Sequence, residues 1–264
     1  MNVAGLTALV TGGSKGMGKE WARLLLKDGA DVIIWGRNKI DLENAKEELL
    51  VEFPERHVEF NCVDVGDIDR LEKALKDLID RYKVDILINN AGIVFRGFLN
   101  EIDPEKSTQI IKVNLMAPVI ITQKIIQSMI ERNFGYVVNV SSLAGFIGVP
   151  KMAVYSASKW GLVGFSEAIR QEMIEQGKNG VRIMTFCPSY VQTDLFQGAT
   201  PPLLTRWLRP EDTVKRAYQG LKDGKHIIFD PDFGRLVAPL KGLLPEKFND
   251  RLRRILGVNS SSGV

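Results

Sequence analysis

Three side chains in this sequence could share one piece of proton chemistry: Ser142, Tyr155 and Lys159. Tyr155 and Lys159 stand four residues apart in a stretch patterned as a helix, so they occupy one face, one turn apart. Both can act on one atom. A phenol that titrates near about 10 carries protons poorly at neutral pH, but a neighbouring ammonium group favours the phenolate and lowers that value. Tyr155 is therefore a candidate general acid/base. Ser142 follows the strand-like stretch 136–140, whose end can present a hydroxyl to the same substrate oxygen. A YxxxK spacing alone arises often by chance, and its meaning depends on what precedes it.

The elements that must position these groups begin with a short apolar run at residues 7–10, followed at once by TGGSKGMG at 11–18 and an apolar helical face carrying Trp21, Ala22, Leu24, Leu25 and Leu26. Strand, glycine turn and helix let backbone N–H groups approach a pyrophosphate at a helix N-terminus. Gly12, Ser14, Lys15, Gly16, Met17 and Gly18 are the candidate contacts in that turn. A second apolar run, 32–35, ends in Gly36 and Arg37. At that strand tip a carboxylate would bind ribose hydroxyls, whereas a cation accommodates a 2′-phosphate. Arg37, with Lys15 as a second cation and no carboxylate at the tip, points to NADP(H).

The alternation continues: a helix over 39–53, a strand over 58–62, Asp64 and Val65 at its end, a helix over 67–82 with Ile68, Leu71, Leu75, Leu78 and Ile79 on one side, and a strand over 84–88. Asp64 is placed to meet an adenine amine. Asn89, Asn90, Ala91 and Gly92 follow that strand, and small or amide side chains there suit close packing against the glycine turn and the cofactor. A long helix over 104–130 starts at Asp103 and Pro104, an N-cap followed by proline at the first position. It carries Asn114 among apolar neighbours, so that amide needs a water or backbone partner. The helix containing Tyr155 runs to about residue 176, a strand over 181–187 leads into Pro188, and a helix over 210–223 and a strand over 225–229 close the pattern. The whole reads as α/β: a doubly wound, Rossmann-type parallel sheet of about seven strands with helices on both faces.

Residues 1–234 make one dinucleotide-binding and catalytic domain, with a substrate lid expected over about 194–209. The apolar side chains of that segment, Phe196, Leu203, Leu204, Trp207 and Leu208, folding over Val94, Phe95 and Phe98, suggest an apolar substrate. Residues 235–264 form a basic tail with six cationic and two acidic residues, in which Phe248, Leu252, Ile255 and Leu256 repeat at helical spacing. Such a stripe packs on the body or on a partner subunit, or makes a weak contact with an anionic membrane surface.

Composition bounds the rest. The chain has 264 residues, 45% of them hydrophobic, enough for one large core. A net charge of +3 spread over 35 basic and 32 acidic residues argues against nucleic-acid binding. Cys62 and Cys187 match no metal or redox spacing and read as small buried residues at strand ends; His57 and His226 are isolated. No metal site is expected. The N-terminus lacks a signal pattern and no apolar run reaches the ~18 residues of a membrane span, so a cytoplasmic protein is expected.

These motifs resemble the short-chain dehydrogenase/reductase family in its single-domain form, over about residues 5–193: TGxxxGxG at 11–18, Asp64, the NNAG run at 89–92, Asn114, Ser142, YxxxK at 155–159, and Pro188 with Thr193. The resemblance implies an NADP(H)-dependent carbonyl reductase acting reversibly on a small-molecule carbonyl or alcohol. In such an enzyme Tyr155 is the acid/base, Lys159 binds the nicotinamide ribose and lowers the Tyr155 pKa, Ser142 bonds the substrate oxygen, and Asn114 holds a relay water. Pro188, Val191 and Thr193 fall at the nicotinamide end, with Thr193 at the carboxamide. It also implies a homodimer or homotetramer built on the helices after residues 104 and 154. Ser189 replaces the glycine common after that proline, and the Asp-Gly-Gly ending of many 3-oxoacyl-carrier-protein reductases is absent, which points away from fatty-acid synthesis. A membrane-peripheral lipid or 3-oxoacyl reductase is the alternative. A non-catalytic NADPH-binding sensor has no chemical need for all four of Asn114, Ser142, Tyr155 and Lys159.

Overall fold

The computed structural model describes residues 2–196, 198, 200–201, 206–236 and 242–255. Its strands are β1 (Thr7–Thr11), β2 (Asp31–Gly36), β3 (Val58–Cys62), β4 (Ile86–Asn89), β5 (Gly135–Val140), β6 (Val181–Pro188) and β7 (Ile227–Asp230). All seven pair in parallel in one sheet of order β3-β2-β1-β4-β5-β6-β7. The strand order reverses between β1 and β4, so the crevice at their carboxyl ends is where a doubly wound sheet accepts a ligand.

The helices are α1 (Gly16–Lys27), α2 (Lys39–Glu52), α3 (Ile68–Arg81), α4 (Pro104–Ile111), α5 (Ala117–Arg132), α6 (Ala153–Glu175), α7 (Pro210–Lys222) and α8 (Glu246–Ile255). Helix starts follow capping chemistry. Asn38 accepts from the N–H groups of Ile40 and Asp41 at 2.9 and 3.2 Å, Asp67 from Arg70 at 3.2 Å, and Asp103 from Glu105 at 2.8 Å. One apolar layer joins α1, α2 and α7 to one sheet face through Trp21, Leu25, Val10, Ile34 and Phe186. The other joins α3, α5 and α6 to the opposite face through Leu75, Ile121, Val137 and Ile183. On α3 the buried residues are Leu71, Leu75 and Leu78, while Ile79, expected on the same side, is 45% exposed.

The helix expected to run unbroken through 104–130 is interrupted. Residues Lys112–Met116 form a π-helical turn between α4 and α5, with Asn114 at its centre. An extra residue per turn bulges the backbone and redirects the side chain there, a feature common at functional sites. Taken through this turn, Pro104–Arg132 is long and apolar enough to cross a membrane by length and composition alone, although polar residues interrupt every apolar run in it. Here it packs along β4 and β5. Cys187 is buried as expected, but Cys62 is exposed at the outer end of the edge strand β3.

Candidate active site

The carboxyl ends of β1, β2 and β4 open onto a cleft of about 480 Å³, within the range of small-molecule sites. Of the residues expected to hold the cofactor, Gly12, Ser14, Lys15, Gly16, Met17, Arg37, Asp64, Val65, Asn90, Ala91, Gly92 and Thr193 line it. Gly18, Pro188, Val191, Tyr155 and Lys159 do not. Gly18 acts instead in packing, because a Cβ there would stand 2.0 Å from the Gly12 carbonyl oxygen. Gly16 has φ +52°, and a Cβ on it would sit 3.0 Å from the Thr193 methyl, so glycine lets α1 begin close under the β6 loop. Gly36, read at the strand tip, lines the cleft too, as do Trp35, Val63, Ile93, Val113, Gln192, Asp194 and Leu195, which no motif marks as cofactor contacts.

Asn90 ties the β4 loop to the glycine turn. Its Nδ2 donates to the carbonyls of Thr11 and Gly12 at 3.0 and 3.3 Å, while the Thr11 hydroxyl accepts from the backbone of Asn90 and Ala91, each at 3.0 Å. Asp64 accepts from Gly66 N–H at 2.9 Å through Oδ1 and faces the cleft at the end of β3. The cradle fits a dinucleotide: glycine backbone at a helix N-terminus, a carboxylate at the far side, and a strand-tip arginine.

The phosphate cations differ from expectation. Lys15 forms an ion pair with Asp41 at 2.9 Å, and that partner raises its pKa. Asp41 lies in the first turn of α2, so the fold brings a carboxylate beside the strand tip that the sequence left bare. Arg37 makes no ion pair among the described residues and lines the cleft.

At the inner end of the cleft the proton-handling groups converge. A Cβ on Gly92 would lie 3.5 Å from Asn114 Oδ1 and 3.7 Å from Lys159 Nζ. Asn114 accepts from Ile93 N–H at 2.9 Å and donates to the Ile93 carbonyl at 2.9 Å and to Ser158 Oγ at 3.2 Å. The amide thus has backbone partners. Lys159 is 3% exposed and donates to the Val140 carbonyl at 2.8 Å, and its ammonium lies 5.7 Å from the centre of the Tyr155 ring. Burial lowers its pKa to about 8. Ser142, at the end of β5, accepts from Ala144 N–H at 3.2 Å and donates to the Pro188 carbonyl at 3.4 Å.

Tyr155 departs from expectation in sign. Burial drives its pKa up, and the hydrogen bond with Ser142 and the charge of Arg96 only partly oppose that. Lys159, whose ammonium lies 5.7 Å from the ring centre, is not among the groups that set the balance. A protonated phenol suits the donating role. Around it Ile110, Ala144, Val149, Met152 and Phe196 form an apolar cluster with Val94, Phe95, Tyr190 and Trp207 packed against it. Phe98, expected in this lining, is 53% exposed with Lys151 over its ring. Leu203 and Leu204 lie outside the described residues.

Residues 6–203 match the family model for short chain dehydrogenases. The chain therefore belongs to the short-chain dehydrogenase/reductase family, oxidoreductases of carbonyl and CH–OH groups. It is 32% identical over 232 residues to the 3-oxoacyl-[acyl-carrier-protein] reductase of Chlamydia trachomatis, covering 84% of this chain and 92% of that protein. It is 29% identical over 267 residues to the human 17-beta-hydroxysteroid dehydrogenase 13, covering 100% and 87%. Among solved structures, a metagenomic short-chain oxidoreductase in complex with NADP superposes with a TM-score of 0.73 at 26% identity, over 87% of this chain and 97% of that one.

Proposed function

We propose that this chain is an NADPH-dependent carbonyl reductase, reversible as an alcohol dehydrogenase, in which Tyr155 is the general acid/base. The observation that carries the reading is the meeting of Asn114, Ser142, Tyr155 and Lys159 at the inner end of a glycine-lined cleft. NADPH, when bound, supplies the hydride to the substrate carbon. The protein's own work is positional and protonic. Ser142 bonds the carbonyl oxygen and shares the charge that develops on it, Tyr155 gives that oxygen its proton, and Lys159 holds the ribose side of the cleft. Asn114 holds the Ile93 loop in place beside Gly92 and Lys159.

Arg37 supports the choice of NADPH, since it lines the cleft at the tip of β2 with no carboxylate partner among the described residues. The NADP held by the metagenomic relative agrees with this. Because Lys15 is engaged by Asp41, Arg37 carries the 2′-phosphate grip. Replacing Arg37 with Ser should raise KM for NADPH by about 10- to 100-fold, the loss of one charge-assisted phosphate contact, and leave KM for NADH nearly unchanged. Equal effects on both cofactors would refute the assignment.

The apolar cluster around Tyr155 supports an apolar carbonyl substrate. A lipid or 3-oxoacyl substrate met at a membrane surface is the second reading. It is favoured by α8, where Phe248 is 53% exposed beside exposed Lys247, Arg251 and Arg254. If a chain ending near Phe233 pelleted with anionic liposomes as well as the full chain does, that second reading would be dropped.

A further inference from the structure

Phe196 packs directly against Tyr155, the candidate proton donor. Its ring is 5% exposed and meets Tyr155 edge-on, centroids 6.5 Å apart and planes at 88°. Tyr190 tilts against the same ring at 5.2 Å, and Trp207 backs Tyr190 edge-on at 6.1 Å. Tyr155 is itself only 2% exposed, and Phe196 is one of the residues that cover it. Arg96 secures the ring from the opposite loop. Its Nη2 donates to the Leu195 carbonyl at 3.1 Å, and its guanidinium carbon lies 5.9 Å from the Phe196 centroid. The space is therefore shaped by a flat ring: Tyr155 perpendicular to it, Tyr190 tilted against it and a cation over its π face.

We propose that Phe196 is a resident occupant of the substrate slot, held by Arg96, and that the substrate carries a planar apolar group beside its carbonyl, as aryl ketones and aryl aldehydes do, which replaces that ring. This rests on the reading of Tyr155 as the proton donor. A saturated ring of similar volume fills the same space but gives the guanidinium no π system to meet. A cation–π contact of this kind discriminates by about 2- to 30-fold. A tethered ring competes with any ligand as an intramolecular rival, so its removal exposes the slot's full affinity.

The test titrates acetophenone and cyclohexyl methyl ketone into the NADP⁺ complex by ligand-observed NMR, where neither ketone is reduced. Wild type should prefer acetophenone. Phe196→Ala should tighten both ketones by about tenfold, the scale of one buried aromatic contact, and retain the preference for the aryl ketone. Phe196→Leu, which keeps apolar bulk, should fall between. Adding Arg96→Met to Phe196→Ala should erase the aryl preference. Unchanged or weaker acetophenone binding in both Phe196 variants, or an aryl preference that survives Arg96→Met, overturns the proposal. Because binding is read without chemistry, turnover that persists in Tyr155→Phe would overturn the reductase reading alone.

Discussion

Burial of Lys159 has a cost that stability measurements can read. Its pKa falls from the usual 10.5 to about 8 because burial disfavours the ammonium. Between these values the unfolded chain holds the proton and the folded one does not, so stability rises with pH across 8 to 10.5. Below 8 both states are charged and the full penalty applies. Lys159→Met should therefore raise the melting temperature at pH 7, and its advantage should shrink as pH passes from 8 to 10.5; an advantage independent of pH would contradict this. Residue types alone placed Lys159 and Tyr155 on one helical face, which holds. They did not show that the ammonium would bond the Val140 carbonyl and sit over the ring, because that depends on where β5 ends relative to α6. Lys15 shows the same limit: its pairing with Asp41 joins residues of two different βα turns.

At the scale of elements, periodicity and capping residues located every strand of the sheet, with boundaries displaced by a residue or two. Alternation of apolar runs with amphipathic stretches is a local signal, and local signals survive in sequence. The π turn at Lys112–Met116 was hidden because no residue type marks it. It is selected by tertiary pairing of Asn114 with the Ile93 backbone. Equally hidden is a buried polar chain that joins β4 and β5 to the helices on one sheet face. Asn89 donates to Asn139 Oδ1 at 2.8 Å and to Thr122 Oγ1 at 3.1 Å, and Asn139 donates to Ser166 Oγ at 2.8 Å. These residues stand on β4, β5, α5 and α6, so the chain joins sheet to helices on the catalytic side. Asn139→Ala would leave the Asn89 amide and the Ser166 hydroxyl short of a partner. The expected loss is about 2–4 kcal/mol, one unmet buried group or more, read from urea unfolding with an unchanged slope; a loss below about 0.5 kcal/mol would mean the chain adds nothing net.

For the whole molecule, the doubly wound sheet sets the glycine-lined cleft and the candidate catalytic cluster side by side, and the π turn and α6 carry Asn114, Tyr155 and Lys159 of that cluster. Met116 and Trp160, at the π turn and on α6, are 43% and 42% exposed. The expected homodimer or homotetramer would cover such residues, so Trp160→Asp should shift the chain toward monomer in sedimentation velocity. A wild-type chain that sediments as a monomer would remove the assembly from the account. At the substrate end the apolar residues Phe196, Trp207, Val94 and Phe95 were legible and do pack together, whereas Arg96, whose contact with Phe196 joins segments 100 residues apart, carries no motif. The most direct test of the central claim is NADPH oxidation over a panel of aldehydes, aryl ketones, 3-oxoacyl thioesters and steroid ketones, with NADH as control and Tyr155→Phe beside wild type. The account predicts NADPH-preferring reduction that Tyr155→Phe lowers by at least about 100-fold, the scale of general acid catalysis, with NADPH affinity intact. Turnover preserved in Tyr155→Phe, or no reduction of any carbonyl by a wild-type chain that binds NADPH, would contradict it.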